Sequence, residues 1–533
     1  MLDGVIHNRA ALCRELGLPV DTPMHDVLRC GWQRWSAQLL PRLDGSFALA
    51  LCEPDRISLF RDASGLKSLF WHVDASGMLH FGSDLSVLVR SPGVPRHLAR
   101  FALHEFLRFG DIAAPRTIYA DILAVESGEL VCVSGRGTVT RRVLDRLSEV
   151  TPPPANLEQA LDTLEVLLTR SIERRLDGAS RPAAFLSGGI DSSLLNALAS
   201  QEWRDLTAVT VGFEDSPLDE FPAAARIAAQ LGLRHEVLRF SQAECVHAVE
   251  RLAAAAEQPI ADPATPATLL AFDHCRERYD AVLDGTGADE AVGLMPPRHV
   301  RFAVAHASRI PHPLRRGLTQ ALNAVPALAP WTALTDFEHP ADTMIRWKGF
   351  QRSEIELLCG EAVSFEQTRF YREFARHGRH QHFERFSALL DAMPSERLNQ
   401  AMRAAGLASI SYPFCAPEVD TFLRKLGVEH RWQPGEPKRI LRRLLGRHLP
   451  AALWDTPKHG FDFPLIAFLT ASNHAVVRRF LAPSMLARAG AIDPDLAARY
   501  ASRFMAGETA LAFRVWTLIV FAAWLERHDD FQS

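Results

Sequence analysis

The sequence predicts a mixed α/β protein in which an antiparallel β domain precedes a doubly wound parallel sheet and a helical C-terminal part. Short apolar runs with Gly, Asp and Ser turns between them fill residues 1 to about 145. Strand and helix patterns then alternate from residue 183 to 283, and the chain beyond residue 300 is helical and rich in Arg and Leu. Closely spaced strands favour antiparallel sheets, whereas strands that alternate with helices favour parallel ones.

Length and composition narrow the classes of function. A chain of 533 residues predicts more than one domain. The net charge of −4 and the pI near 6.6 give no basic surface for phosphates, so we expect no nucleic-acid partner. The longest apolar stretch, 515–525, is shorter than the ~20 residues that span a bilayer, so it predicts a buried helix and no membrane partner. Eight scattered cysteines and an N-terminus without a secretion signal predict a cytoplasmic protein.

Turn residues and prolines divide the chain. Residues 45–51 alternate small and large apolar side chains and predict a strand, which a turn at 53–56 connects to a second strand at 57–60. The run 151–155 contains three consecutive prolines, which no helix or strand continues through. We therefore predict one domain over residues 1–148 and a second over 156–527.

The second domain begins with a helix and continues as an α/β unit. Asn156 is a good N-cap residue with Gln159 three positions on, and Gly178 is a natural stop for this helix. The period of the apolar residues then switches between strand and helix, which is typical of a parallel sheet. The predicted strands cover residues 183–186, 206–212, 237–240 and 281–283, and the intervening helices include 192–200 and 220–231.

The loop Ser187–Ser193, with sequence SGGIDSS, carries the strongest chemical signal. Its two glycines, Gly188 and Gly189, allow backbone N–H groups to approach an anion closely. The following helix N-terminus and the hydroxyl groups of the loop serines complete a cradle for phosphate oxygens. A lone SGG would be an ordinary turn, but this one follows a buried strand at the head of a doubly wound sheet. Asp191 suits a carboxylate ligand of Mg²⁺.

With these motifs the second domain resembles the asparagine synthetase-like ATP-dependent amide ligases, whose synthetase domain uses an SGGxDS loop. The order and spacing of further motifs match over most of residues 157–525. These motifs are Thr210–Phe213, Gln258–Pro263, Asp284–Glu290, Lys458–Pro464 and Phe513–Trp524.

The resemblance implies an ATP-pyrophosphatase domain with ATP and Mg²⁺ as cofactors. Asp289 follows the fourth strand and is expected to hold Mg²⁺ together with Asp191, and Lys458 is expected to stabilise negative charge during adenylation. A solvated surface lysine is the alternative for Lys458, and ordinary core positions are the alternative for Leu186 and Val211. The expected ATP-binding residues are Leu186, Ser187, Gly188, Gly189, Asp191, Ser192, Ser193, Val211, Asp284 and Gly285.

The first domain resembles the glutaminase domain of the same family, which implies an antiparallel sandwich of the N-terminal-nucleophile type. The motifs that carry this resemblance are Asp3–Asn8, Asp44–Leu49, Arg61–Phe70 and Phe81–Asp84. The family nucleophile is an N-terminal cysteine, whereas this chain opens with Met1-Leu2. The motif glutamate corresponds to Val5 and the glutamine-binding aspartate to Met24. We therefore expect no glutaminase nucleophile and no glutamine hydrolysis.

A second departure lies in the synthetase domain. The family segment GLEVRxPFLD contains a glutamate that helps to deprotonate the attacking amine, and this position is Ser409 here, with Ser411 at the arginine. A serine hydroxyl of ordinary pKa is no general base. Three carboxylates remain open as replacements: Glu396, Glu418 and Asp262.

The resemblance implies an amide-bond-forming ligase that adenylates a small-molecule or peptide carboxylate for attack by ammonia or an amine. Asparagine synthesis is the commonest outcome in the family. The changed glutaminase motifs favour relatives such as the lasso-peptide macrolactam synthetases and the β-lactam synthetases. A nucleotide-binding paralogue without catalysis is the alternative of another class, and a homodimer is left open.

Overall fold

The structure, a computed structural model, describes most of the chain. The described residues are 1–144, 154–213, 221–323, 332, 334–345, 349–378, 380–392, 396–407, 410–455, 463–482 and 490–528.

The N-terminal domain is a sandwich of two antiparallel sheets, as the sequence predicts. One sheet has the strand order β1-β2-β3-β7-β8 and the other β5-β4-β6. The strands are β1 (Leu2–Ile6), β2 (Gly45–Glu53), β3 (Arg56–Arg61), β4 (Phe70–Val73), β5 (Leu79–Gly82), β6 (Leu123–Ala124), β7 (Glu129–Ser134) and β8 (Val139–Val143). The helices are α1 (Arg9–Leu16), α2 (Met24–Trp35), α3 (Leu85–Leu88) and α4 (Arg100–Phe109), with a 3₁₀ turn at Ser36–Arg42.

The alternating pattern of β2 explains why its sheet is covered on both faces. Phe47 and Leu49 pack with residues of α1 and α2. Ala48 and Ala50, on the opposite face, pack with Trp71 of the smaller sheet. Since successive side chains of a strand point to opposite faces, one apolar strand supplies both layers of this domain.

The second domain contains a parallel sheet with the strand order β11-β10-β9-β12. All three strand pairs are parallel, which confirms the predicted α/β arrangement. The strands are β9 (Pro182–Phe185), β10 (Thr207–Phe213), β11 (Arg234–Phe240) and β12 (Ala281–Leu283). The helices around them are α5 (Leu157–Leu176), α6 (Ile190–Glu202), α7 (Phe221–Leu231), α8 (Gln242–Ala255), α9 (Thr265–Arg278) and α10 (Ala288–Val292).

Helix α5 begins and ends as its sequence predicts. The side chain of Asn156 accepts a hydrogen bond from the backbone N–H of Gln159 at 2.9 Å. Leu164 and Leu168 are fully buried on the apolar face. Gly178, with φ of 75°, follows the end of the helix in the left-handed region. Helix α6 begins at Ile190, two residues before the predicted start, so its first turn includes Asp191.

The part of the chain beyond residue 298 that the structure describes is helical. Its helices are α11 (Arg298–Ala305), α12 (His312–Asn323), α13 (Arg352–Cys359), α14 (Arg369–Arg376), α15 (His382–Ala392), α16 (Glu396–Ala405), α17 (Pro417–Lys425), α18 (Val428–Arg431), α19 (Arg439–His448), α20 (Ala451–Trp454), α21 (Leu465–Phe480), α22 (Pro494–Met505) and α23 (Ala512–Arg527). Short 3₁₀ turns lie at Ala307–Arg309, Pro340–Met344, Pro413–Cys415 and Thr509–Leu511.

Helix α23 accounts for the longest apolar stretch of the sequence. The segment Thr509–Arg527 has the length and hydropathy of a membrane span, yet 72% of its apolar window is buried within the fold. Trp516 on this helix is 2% exposed, and its indole N–H donates to the backbone oxygen of Ala261 at 2.9 Å. The helix therefore packs as a core element of the second domain.

Several ion pairs connect the two domains, among them Arg108 with Asp342 at 2.7 Å, and three of them use a motif residue of the N-terminal domain. The Asp44 carboxylate lies 2.6 Å from Arg175 of α5. The Arg61 guanidinium lies 2.5 Å from Glu396 of α16. Because buried charges tolerate little displacement from their partners, these pairs fix how the domains sit against each other more than they add net stability.

The third pair extends the same junction. Arg403 lies 2.7 Å from Asp84 of the N-terminal domain and 2.5 Å from Glu257 of the second domain. The motif residues at positions 44, 61 and 84 are therefore all charged partners of the second domain.

Candidate functional site

The predicted phosphate loop connects β9 to α6 at the carboxyl end of the parallel sheet. Gly188 has φ of 71°, a conformation that other residues rarely adopt. A Cβ atom at this position would lie 3.0 Å from the Cβ of Ala223, so the neighbouring helix also leaves little space. Glycine therefore allows the tight turn that directs the loop backbone toward the helix N-terminus.

Hydroxyl groups brace this loop. The Ser192 hydroxyl accepts a hydrogen bond from the backbone N–H of Ser187 at 3.1 Å, and the two hydroxyl oxygens lie 3.0 Å apart. The Asn196 amide donates to the Phe185 carbonyl at 3.0 Å, which ties the helix to the strand end. Ser193 is fully buried. Its side chain is therefore placed in the core. Ser192 is 8% exposed, and Ser187 is half-buried.

A second loop approaches the first from β12. The Asp284 carboxylate accepts hydrogen bonds from the N–H and the hydroxyl of Thr286, at 2.7 and 2.6 Å. Gly287, with φ of 97°, is the N-cap residue immediately before α10, and a Cβ there would lie 2.5 Å from the Cys415 sulfur. This turn places Asp289 in the first helical turn, opposite Asp191.

A buried lysine joins the two loops. The Lys438 ammonium lies 2.5 Å from Asp191 Oδ2 and 2.6 Å from Asp289 Oδ1, and its side chain is 10% exposed. Lys438 precedes α19 with φ of 53°, an uncommon backbone conformation for this residue type. Burial by itself lowers the pKa of Lys438, but the two carboxylates raise it above its ordinary value. The site thus keeps a charged ammonium between two carboxylates.

The two acidic loops, with Asp191 and Asp289, border a cavity of about 320 Å³ that has two different ends. Phe185, Val211 and Phe272 form an apolar part, whereas the acidic loops form the other. A flat apolar wall beside a polar cradle suits an adenine base and its phosphates. The predicted residues that line the cavity are Leu186, Ser187, Gly189, Asp191, Ser192, Val211, Asp284, Gly285 and Asp289.

Three predicted residues are placed differently or not described. Gly188 shapes the turn without lining the cavity, and Ser193 is buried beside it. Lys458 lies outside the described residues, as does Ser409. The assignments of Leu186 and Val211 to the adenine wall stay predictions, although both border the apolar part.

The acidic pair suits a divalent cation. Asp191 and Asp289 already share one cationic group, the Lys438 ammonium, at hydrogen-bond distance. Carboxylate oxygens on two sides of a phosphate cradle are the ligands that Mg²⁺ prefers in proteins. The residues present therefore fit the predicted magnesium site.

Lys438 was missed by the motif-based prediction, although the sequence carries a signal for it. The chain has only five lysines, at positions 67, 348, 425, 438 and 458, among 59 lysine and arginine residues. Because arginine fills nearly every other cationic position, a lysine here indicates a need for a compact ammonium group. Four of the five lysines, Lys438 and Lys458 among them, follow the acidic loops in the same domain.

The three carboxylates left open as proton acceptors are all engaged by other groups. Glu396 pairs with Arg61 and accepts from the Ser68 hydroxyl at 2.8 Å. Burial raises the pKa of Glu396, but Arg61 and the hydrogen bonds bring it below its ordinary value. Glu418 pairs with Arg174 at 2.5 Å, and Asp262 with Arg397 at 3.4 Å.

Two positions of the N-terminal domain bear on glutamine chemistry. Val5, at the glutamate position of the motif, lies on β1. Met24, at the aspartate position, is the first residue of α2. Neither side chain supplies the carboxylate that the glutaminase motif has at its position.

Comparison with known proteins gives two family matches. Residues 163–526 match the asparagine synthase family, and residues 2–143 match the glutamine amidotransferase domain. A putative asparagine synthetase (glutamine-hydrolyzing) of Mycobacterium tuberculosis strain H37Rv is 26% identical over 521 residues, which cover 94% of this chain and 79% of that protein. Asparagine synthetase (glutamine-hydrolyzing) 1 of Bacillus subtilis strain 168 is 22% identical, over 98% of this chain and 84% of that protein.

Solved structures resemble the chain only weakly. The NMN synthetase of Francisella tularensis gives a TM-score of 0.20 with 16% identity, over 26% of this chain and 58% of that one. A glutamine phosphoribosylpyrophosphate amidotransferase from B. subtilis also gives a TM-score of 0.20, over 44% of each chain. These values are too low to bear on the fold.

Proposed function

Because this chain belongs to the asparagine synthase family, we propose that it uses ATP to adenylate a carboxylate and then transfers the acyl group to an amine. The observation that supports this most directly is the meeting of Asp191, Asp289 and Lys438 beside the loop Ser187–Ser193. A phosphate cradle, two carboxylates and a buried ammonium are what a triphosphate needs in order to lose pyrophosphate.

In the first half-reaction the substrate carboxylate attacks the α-phosphate of ATP, and the bond to pyrophosphate breaks. The loop N–H groups and the N-terminus of α6 hold phosphate oxygens of ATP. The apolar part of the cavity, which includes Phe185 and Phe272, contacts the adenine base. Asp191 and Asp289 would hold Mg²⁺, which offsets the charge of the triphosphate. Lys438, released from these carboxylates, supplies positive charge to the departing pyrophosphate, and Lys458 does so for the acyl phosphate.

In the second half-reaction an amine attacks the acyl carbon, the bond to the AMP oxygen breaks and the amine loses a proton. Glutamine hydrolysis is not the source of the nitrogen in this proposal, because Val5 and Met24 occupy the positions of the motif carboxylates. Asparagine formation from aspartate and ammonia is the first reaction to test. Ring closure within one substrate, as in lasso-peptide and β-lactam synthetases, is the alternative.

ATP–pyrophosphate exchange tests the proposal. The assay uses the full chain with Mg²⁺ and a panel of carboxylates that starts with aspartate and continues through amino acids and peptides. We expect exchange with at least one carboxylate and none with Asp191→Asn. ATP binding without exchange for any carboxylate would overturn the proposal in favour of a nucleotide-binding subunit. Release of glutamate from glutamine would contradict the assignment of the nitrogen source.

A further inference from the structure

A second cavity lies between the two domains. Its volume is about 240 Å³. Arg61, Ser64 and Ala113 of the N-terminal domain form one wall, and Glu290, Arg369 and Glu396 of the second domain form another. We call this space the junction chamber. Residues of both domains line it, so the docked N-terminal domain encloses one side.

The junction chamber adjoins the nucleotide cavity. Thr286, Gly287 and Glu290 line both spaces. These residues belong to the turn between β12 and α10, which also positions Asp289. The turn between β12 and α10 is therefore a wall shared by the chamber and the nucleotide cavity.

The chamber is too large for ammonia alone. A water molecule, which is similar in size to ammonia, occupies roughly 30 Å³ in the liquid. The chamber volume of about 240 Å³ is several times larger. Space of this size beside an acyl-transfer site suits an organic amine.

The arginines that line the chamber indicate which class of amine it binds. Two arginines that line the chamber have acidic partners: Arg61 pairs with Glu396 at 2.5 Å, and Arg424 with Asp420 at 2.8 Å. Arg369, in the first turn of α14, also lines the chamber. Burial raises the pKa of Glu126 and the charge of Arg369 opposes this rise, but within the described ranges Arg369 makes no side-chain hydrogen bond and no ion pair closer than 4.0 Å. A guanidinium with free donors in a partly enclosed space favours a carboxylate, which it binds with two parallel hydrogen bonds.

We propose that the junction chamber binds the amine substrate, and that this substrate is a primary amine carrying a carboxylate that pairs with Arg369. Free amino acids and short peptides share this chemistry. The inference deepens the proposed function and rests on it in one respect, that the neighbouring cavity is where the acyl group is activated. The N-terminal domain then serves as a wall of the amine site.

Calorimetric titration of the full chain tests the chamber without ATP. The probes are the free amino acids, glycyl dipeptides, the corresponding amino-acid amides, which keep the amine and lack the carboxylate, and ammonium chloride. We expect at least one carboxylate-bearing probe to bind about tenfold or more tightly than its amide. If amino acids bind more tightly than dipeptides, the amine substrate is a free amino acid; if dipeptides bind more tightly, it is a short peptide.

Variants assign this preference to the chamber. Arg369→Gln should abolish the difference between acid and amide, whereas Arg372→Gln, an exposed position on the same helix outside the chamber, should retain it. Ala113→Phe should fill the space and weaken binding about tenfold or more with ATP affinity unchanged.

Three results would overturn the proposal: no probe binds, an amide binds as tightly as its acid, or Arg369→Gln keeps the preference. Titration of the Asp191→Asn variant with the same amine probes separates the amine-site proposal from the proposed adenylation. Binding by that variant, together with a failure of exchange in the wild type, would reject adenylation and keep the chamber. ATP–pyrophosphate exchange by a protein that binds none of the amine probes would keep adenylation and reject the amine site in the chamber.

Discussion

The two domains use their motif residues for different purposes. In the second domain, Asp191 and Asp289 border a cavity where they meet a buried lysine. In the N-terminal domain, Asp44, Arg61 and Asp84 are ion-pair partners of the other domain. Resemblance to a motif therefore locates a residue without deciding its role. The N-terminal domain has the charged residues that dock it, and Val5 and Met24 stand at positions where the glutaminase motif that it resembles has carboxylates.

The largest expected effect tests the catalytic side of this comparison. Lys438→Ala removes the ammonium from between Asp191 and Asp289, and we expect ATP–pyrophosphate exchange to fall by about 10²- to 10³-fold. Lys438→Arg should recover little activity, because a planar guanidinium does not replace a compact ammonium between two oxygens. Exchange rates at saturating ATP measure both variants.

The matched control is Lys425→Ala, which removes an exposed lysine at the end of α17. It should exchange at the wild-type rate. If Lys438→Ala stays within threefold of the wild type, Lys438 is a structural counter-ion and the catalytic half of the comparison is wrong.

Local sequence patterns predicted most of the architecture. The four parallel strands, the capped helix α5 and the alternation of β2 follow from residues close together in the chain, because capping and strand period are local effects. The phosphate loop was predictable for the same reason. Its geometry depends on two glycines and a helix start within a few residues.

Long-range contacts were not predictable in this way. Lys438 is 247 residues from Asp191 in sequence, and no local pattern connects them. The pairing of Arg61 with Glu396 spans 335 residues. The junction chamber arises from such pairings, since each of its walls comes from a different domain. The small number of lysines was a compositional signal, but it identified no partner.

The second-largest expected effect tests whether the buried Asp44–Arg175 pair holds the two domains together. Arg175→Met leaves the Asp44 carboxylate buried with one weaker partner, Arg174 at 3.1 Å. We expect the free energy of unfolding to fall by about 3 kcal/mol, because a buried charge loses its main counter-ion. The double variant Asp44→Leu/Arg175→Met should recover most of this loss. Calorimetric unfolding of the full chain measures the three proteins.

Arg56→Met provides the surface comparison, since Arg56 pairs with Glu53 on a solvent-exposed turn and contributes little. Its unfolding temperature should match that of the wild type. Equal unfolding temperatures for Arg175→Met and Arg56→Met would show that the domains do not depend on this buried pair.

Taken per pH unit, the smallest effect is a pH dependence at the third junction pair. Burial raises the pKa of Glu257 to about 8, although Arg403 and the backbone N–H of Leu85 oppose this shift. The folded state then keeps the proton up to about pH 8, whereas the unfolded chain releases it near the ordinary value of 4.5. Between these values the unfolded state binds fewer protons, so the stability contribution of Glu257 is greatest below pH 4.5 and is lost as the pH rises.

Glu257→Gln isolates this contribution, because the amide stays neutral at every pH. Relative to the variant, the wild type should lose about 1 kcal/mol of unfolding free energy per pH unit between pH 5 and 8. Glu202→Gln, the same change at an exposed position, should keep the wild-type profile. Parallel profiles for wild type and Glu257→Gln would mean that Arg403 keeps this carboxylate ionised. The third contact would then be an ordinary ion pair like Asp44 with Arg175 and Arg61 with Glu396, and its charge would stay fixed between pH 5 and 8.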